Sequence, residues 1–316
     1  PALLMGNAVI LKPASVNPLT LTKYVELLVE AGVPAGIISV VHGSGSVVGK
    51  TLTSSKKVDM VSLTGSTAAG IDAAKNCADH CAHSSLELGG NDAFILCADG
   101  DMDLAIEETV WGRLYNTGQV CCASKRFLVE NSVKDEFIRK MTDKINSLKQ
   151  GNPQDMSTDI GCLVSEEAAI EVERQVNETI AAGATLVCGG KRNGAFYEPT
   201  ILDNVTPDME VAKDMEIFGP VIPVIGFDDL EEAIEIANKS IYGLSGSIIT
   251  KDISKAIKVS EKMECGGFVI NGASFFRSFE QPFGGWKYSG IGNEGIMTTL
   301  KEMSRTKTVI LKNITK

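Results

Sequence analysis

The chain has 316 residues, 44% of them hydrophobic and 22% charged, with a formal net charge of −10. That length supports two domains and a sizeable core, and the composition is ordinary for a globular protein. The acidic balance with no basic stripe argues against nucleic acid as a partner, and no apolar run approaches membrane-spanning length, so no membrane partner is expected either. Cysteines stand at 77, 81, 97, 121, 122, 162, 188 and 265. They are scattered and no signal peptide is in view, which suits a reducing, cytoplasmic setting better than a disulfide framework. Pro1 stands where an initiator methionine would, and strand-like sequence follows directly. The chain therefore reads as a piece of a longer product, from which a targeting segment could be missing.

Residues 8–11 form a short apolar run that ends at Lys12-Pro13 and reads as a buried strand. Residues 18–31 carry leucine and valine at helical spacing and stop at Gly32. Strands are expected over 37–41, 58–63 and 85–88, with helices opening at Gly43–Gly49 and at Gly65-Ser66, the latter running to Cys77. Strand and helix alternate with short turns, which predicts an α/β fold with a parallel sheet and right-handed crossovers. The turn Gly43–Gly49 is one residue too long for a dinucleotide fingerprint, and Ser44 spoils the match to a P-loop. It is either a plain tight turn or a loop offering free N–H groups to a phosphate. Ser66 is a natural N-cap whose hydroxyl could face a pyrophosphate. Cys77, His80, Cys81 and His83 resemble a metal cluster, but no second Cys/His pair completes a zinc framework, and no metal is expected.

Glu87 lies between two leucines at a strand end, before Gly89-Gly90. If buried, its pKa would rise toward neutrality, as a general base requires; an exposed edge glutamate is the plainer alternative. A helix is expected over 101–115 and a short strand over 127–129. Between them lies the polar loop Asn116-Thr-Gly-Gln-Val-Cys121-Cys122. A nucleophile wants such a loop held by rigid elements, although free cysteine is more often an inert core residue. Further helices are expected over 133–148, 165–182, 229–237 and 253–263, with strands over 185–188, 221–227, 245–249 and 266–270. Tight or glycine-rich loops occupy 215–220 and 282–290. Residues 307–312 read as a terminal apolar strand without a neighbour in sequence, a candidate for pairing with another subunit.

Five motifs in order carry a resemblance: Leu63-Thr-Gly-Ser-Thr67, Leu86-Glu-Leu-Gly-Gly90, Asn116-x-Gly-Gln-x-Cys121, Glu216-Ile-Phe-Gly-Pro220, and Pro282-Phe-Gly-Gly285 followed by Lys287 and Ser289-Gly290. Over essentially its whole length the chain resembles the NAD(P)-dependent aldehyde dehydrogenases, and within them the succinate-semialdehyde group. The resemblance implies a partial Rossmann-type cofactor domain over 1–88 and a catalytic thiol domain over 89–288. It also implies a return helix over 289–302 and an oligomerisation strand over 303–316, in a homodimer or homotetramer.

The resemblance implies roles for individual residues. Cys121 matches the nucleophile and Glu87 the base, with Asn116 in the orienting loop. Lys12, Ser15, Gly43, Gly65, Ser66, Leu88, Glu216 and Phe218 fall at cofactor positions, Glu216 at that of the residue that holds the nicotinamide ribose, and Tyr115 and Phe283 where aromatic residues line the aldehyde tunnel. Arg277, in the segment before Phe283, could pair with a substrate carboxylate; a surface arginine is the plainer alternative. The cofactor is NAD or NADP. Ser15 replaces a glutamate that NAD-specialised members place there, which removes repulsion against a 2′-phosphate, so NADP is expected to be tolerated or preferred. The implied reaction oxidises an aldehyde such as succinate semialdehyde to its acid through a thioester on Cys121. The resemblance also implies an upstream portion with an oxyanion-hole asparagine that lies before Pro1. A catalytically inactive fragment is therefore one alternative; a CoA-acylating enzyme is the other, which Glu87 argues against.

Overall fold

The protein is described by a computed structural model covering residues 1–314. Its centre is a seven-stranded sheet whose spatial order is Gly267–Ile270, Ser245–Ile249, Asp92–Leu96, Ser124–Glu130, Val221–Phe227, Thr200–Asp203 and Thr185–Cys188. All neighbours are parallel except the last pair, which is antiparallel. The middle strands are apolar on both faces. Phe94, Ile95, Leu96, Phe127, Leu128, Val129, Ile222, Val224 and Ile225 are all fully buried, as a parallel sheet covered on both sides requires.

Alternation along the strands sorts the core into two layers. Ile95, Leu128 and Ile225 pack with Val172, Val176, Ala233 and Val259 of the helices Glu166–Ala181, Leu230–Asn238 and Ile253–Lys262. Phe94, Phe127 and Val224 pack on the other face with Ala105, Phe137 and Met141 of the helices Met102–Thr109 and Asn131–Ser147. Side-chain caps from Asp101, Ser165, Asp229 and Asp252 start four of these helices where the sequence turns from strand to helix.

The N-terminal third is built differently. Val9–Leu11 pairs only with Ile38–Val40. Met60–Thr64 and His83–Glu87 are parallel, and Gly290–Ile291 adds an antiparallel third strand to them. The helices Pro18–Glu30 and Thr67–Ala78 accompany these strands.

Several expectations change. Asp92–Leu96 and Thr200–Asp203 are strands that the pattern did not reveal; a short run buried on both faces shows no alternation to read. The helix expected over 101–115 ends at Thr109, widens into a π-type turn over Val110–Leu114, and tightens over Tyr115–Gly118. The return helix of 289–302 is confined to Ile296–Glu302, because Gly290–Ile291 is taken into the sheet. Residues 305–312 are not a strand in the single chain. Val309, Ile310 and Leu311 are 70%, 79% and 77% exposed, since no neighbouring edge takes up their backbone groups. Positions 315 and 316 of the expected oligomerisation strand lie outside the described residues.

Candidate active site

The loop before the central strand Ser124–Glu130 is held in an uncommon conformation. Asn116, Thr117 and Gly118 have φ of 48°, 57° and 77°. At Gly118 a Cβ would lie 2.2 Å from the Gly219 carbonyl oxygen, so only glycine fits. Asn116 donates to the Gln119 carbonyl at 3.2 Å, and Gln119 donates back to the Asn116 carbonyl at 2.9 Å. Val164 N–H donates to Gln119 Oε1 at 2.8 Å. The loop is thereby fixed to its own backbone and to a distant segment.

It delivers two unequal cysteines. Cys122 is buried, with Leu244 and Phe283 around it; Cys121 is half-buried at the same cluster. The Cys122 thiol donates to Cys121 and pulls its pKa down to about 6, against burial and with help from the Lys125 ammonium and the Cys122 backbone N–H. The same bond, together with burial, holds Cys122 far above its ordinary value. Thiolate is the nucleophilic form, so of the two Cys121 is the better-suited candidate nucleophile.

Glu87 ends the strand His83–Glu87 and is only 4% exposed. Neither carboxylate oxygen has a hydrogen-bond partner among the described residues. Burial pushes its pKa up to about 8; Glu294 and Cys121 push the same way, and Arg277 opposes them. The base candidate and the thiol thus sense each other's charge, which places them in one site.

Glu216 is a second carboxylate near the thiol. Its carboxylate meets Lys125 Nζ at 3.1 Å and accepts from Gly90 N–H at 3.1 Å. At Gly89 a Cβ would approach Glu216 Oε2 to 2.5 Å, so the Gly89-Gly90 pair lets the carboxylate come close. Phe218 is 42% exposed beside it. Two fully buried arginines brace this face. Arg113 donates to the carbonyls of Val221 at 2.5 Å and Ile217 at 3.0 Å, fixing the turn that carries Glu216 and Phe218. Arg126 donates to four carbonyls, those of Asn91, Ala212, Ile236 and Ala237, at 2.6–3.0 Å. Sequence reasoning assigned no role to Lys125, Arg113 or Arg126; a basic pair following the cysteines was the available signal.

The remaining cofactor candidates fall into two groups. Lys12 Nζ donates to the carbonyls of Pro13 at 2.6 Å and Gly43 at 3.4 Å, and Ser15 Oγ donates to the same Gly43 carbonyl at 3.4 Å. Ser66 caps the helix Thr67–Ala78 by accepting from Ala69 N–H at 3.3 Å, while Gly65 N–H donates to the Glu87 carbonyl at 3.0 Å. Leu88 is tied to Ser289 through its backbone and packs on Gly70, where a Cβ would lie 2.4 Å from its side chain.

Of the substrate candidates, Phe283 is buried against both cysteines. Tyr115 is half-exposed, its ring 5.0 Å from Trp111 and 4.9 Å from Phe275. The Arg277 guanidinium lies 3.9 Å over the Phe283 ring and 3.7 Å from Glu294, so it already has a carboxylate partner. The Cys77–His83 cluster does not share a helix face: the helix stops at Ala78, Cys77 is buried, and Cys81 is exposed at φ 58°.

The model of the aldehyde dehydrogenase family matches residues 1–309. A lactaldehyde dehydrogenase of Methanococcus aeolicus is 39% identical over 315 residues, covering 98% of this chain and 67% of that protein. The chain belongs to the aldehyde dehydrogenase family. Among solved members, a glyceraldehyde-3-phosphate dehydrogenase from Methanocaldococcus jannaschii complexed with NADP aligns with a TM-score of 0.92 at 39% identity. It is matched over 98% of this chain and 67% of its own length. A betaine aldehyde dehydrogenase from Staphylococcus aureus in complex with NAD+ aligns with a TM-score of 0.90 at 37% identity, over 98% of this chain and 64% of its own.

The chain therefore spans about two thirds of the length of these relatives. None of the three is named for succinate semialdehyde; the family placement holds and the narrower grouping does not follow from them. The cofactor class of these neighbours is NAD or NADP. The residues present suit that class: an exposed aromatic at Phe218, a carboxylate let in by glycines at 89 and 90, and a serine-capped helix start at Ser66. No helix among the described residues is long and apolar enough to cross a membrane.

Proposed function

We propose that the site oxidises an aldehyde to its carboxylic acid with NAD or NADP as electron acceptor. One observation carries the reading: a thiol held largely as thiolate shares its site with a buried carboxyl that has no partner of its own. The Cys121 thiolate adds to the aldehyde carbon, forming a C–S bond and a hemithioacetal oxyanion. Nicotinamide, when bound, supplies the hydride acceptor that converts this adduct into a thioester. Glu87, once ionised, takes a proton from water as the water attacks the thioester; the acid leaves and Cys121 returns as thiolate. A thioester destined for CoA would need no such base, so Glu87 favours hydrolysis.

The substrate is a short aldehyde with a polar or anionic tail, a class that includes succinate semialdehyde. Arg277 at the Phe283 wall supports the anionic form, if its pairing with Glu294 yields to a substrate carboxylate. Ser15, set against the Gly43 carbonyl and bearing no charge, supports NADP. Residues 1–88 and 289–302 would serve the cofactor, 89–288 the chemistry, and 303–316 the contact with another subunit. The test is reduced-cofactor formation by the purified protein with lactaldehyde, glyceraldehyde 3-phosphate, betaine aldehyde and succinate semialdehyde, each with NAD and NADP. Turnover of none of them, or release of thioester only when CoA is added, would sink the reading.

A further inference from the structure

Lys125 is a deeply buried charge in contact with the nucleophile's loop, its side chain 1% exposed. Its ammonium donates to the Val120 carbonyl at 2.9 Å and to the Cys121 carbonyl, and pairs with the Glu216 carboxylate at 3.1 Å. The Phe218 ring lies 5.5 Å away on another side. A charge this deep persists only where its donors are filled. Here two donors go to the carbonyls of Val120 and Cys121, and the charge itself is paired with Glu216. The Glu216 oxygen is itself shared with Gly90 N–H.

The charges around Cys121 come from several elements. Lys125 and Cys122 share its strand and loop, Glu216 comes from the turn before Val221–Phe227, and Glu87 and Asp92 lie at the two ends of the Leu88–Asn91 segment. Burial pushes both Glu87 and Asp92 up to about 8, so both are protonated at neutral pH. Cys122 remains a thiol. Lys125, which favours the thiolate, and Glu216, which opposes it, are left as the charges that act on the nucleophile.

We propose that Lys125 is a positioning residue that couples the reactivity of Cys121 to the engagement of Glu216. The ammonium fixes the nucleophile's carbonyl and favours its thiolate, and Glu216 offsets part of that effect while the two are paired. When Glu216 turns to a nicotinamide ribose, Lys125 keeps its two carbonyl acceptors and its charge acts on Cys121 unopposed. The proposal rests on the reading of Cys121 as nucleophile and Glu216 as a ribose ligand.

The test needs no turnover. Cys121 alkylation by iodoacetamide is followed against pH and located by peptide mass, with and without NADP, in the wild type, Lys125→Met and Glu216→Gln. Lys125→Met should slow alkylation on the order of tenfold at pH values below the wild-type midpoint, by moving that midpoint up about one unit. Glu216→Gln should move the midpoint down, and NADP should move the wild type the same way while leaving Lys125→Met unchanged. A folded Lys125→Met protein with the wild-type midpoint would overturn the proposal and leave Lys125 a purely structural residue. Should Lys125→Met fail to fold, the direction for Glu216→Gln decides: an upward or absent shift refutes the coupling. Rapid alkylation that maps elsewhere, and survives in Cys121→Ser, would instead refute the nucleophile assignment.

Discussion

The two sides of the site are built by opposite means. On the thiol side, Arg113, Lys125 and Arg126 are 0%, 2% and 3% exposed, and each is spent on backbone carbonyls beneath fully buried strands. On the side of Lys12, Ser15 and Gly43 the strands are three residues long, Ile10 is 52% exposed, and the bonds are hydroxyl or ammonium contacts at the surface. One side fixes geometry through buried charge bonded to backbone; the other offers exposed turns whose groups remain available to a ligand. Substitutions on the first should cost chemistry and stability together, and on the second chiefly affinity.

The largest expected effect tests the first half of that contrast. Cys121→Ala should lower aldehyde oxidation by at least about a thousandfold at any pH, whereas Cys122→Ala, which removes the bond that lowers the Cys121 pKa, should cost on the order of tenfold and recover as pH rises. Comparable losses in both, measured as reduced-cofactor formation, would show that the thiols are not distinguished as their environments indicate. Next, Glu87→Gln should slow steady-state turnover on the order of a hundredfold or more while still giving one equivalent of reduced cofactor per site, seen as a burst. Loss of the burst would mean Glu87 acts before the thioester.

Glu87 also links the site to pH. Its folded pKa of about 8 lies above its ordinary 4.5, so between these values the folded state binds the extra proton and stability falls as pH rises. The drop in Tm across that window should be smaller in Glu87→Gln than in the wild type; equal drops would deny the carboxyl its buried, unpartnered state.

A matched pair of glycines sharpens the contrast in packing. Gly118→Ala meets the Gly219 carbonyl at 2.2 Å at φ 77° and should cost about 2 kcal/mol or more. Gly45→Ala, with nothing within 4 Å, should cost under about 0.5 kcal/mol in chemical denaturation. Equal costs would remove the distinction. The smallest effect tests the exposed side: Ser15→Glu should shift the ratio of KM values toward NAD by about tenfold, with kcat nearly unchanged.

What the sequence made legible follows the same division. Cys121, Glu87, Gly65 and Glu216 stand in short motifs whose spacing is local, so they could be placed before any coordinate. The alternation of strand and helix was equally plain, because Ser66, Asp229 and Asp252 cap helices directly after strands. Lys125 was not legible: a lysine beside an arginine reads as surface charge until Glu216, from a distant turn, is seen to meet it. Arg113 was not legible either: its burial depends on the turn before Val221, which periodicity does not foretell. Asp92–Leu96 escaped because burial on both faces erases the two-residue rhythm. Residues 307–312 have the composition of a strand, but a strand is a property of two segments, and the single chain supplies one.

The four acceptors of Arg126 have a consequence for how this molecule tolerates change. Asn91, Ala212, Ile236 and Ala237 each offer a main-chain carbonyl, a group that every amino acid carries. The side chains at those positions can therefore drift without breaking the bonds that anchor the nucleophile's strand. Only the arginine itself is irreplaceable. A single guanidinium confers mechanical robustness on the reactive centre while leaving the surrounding sequence free to diversify.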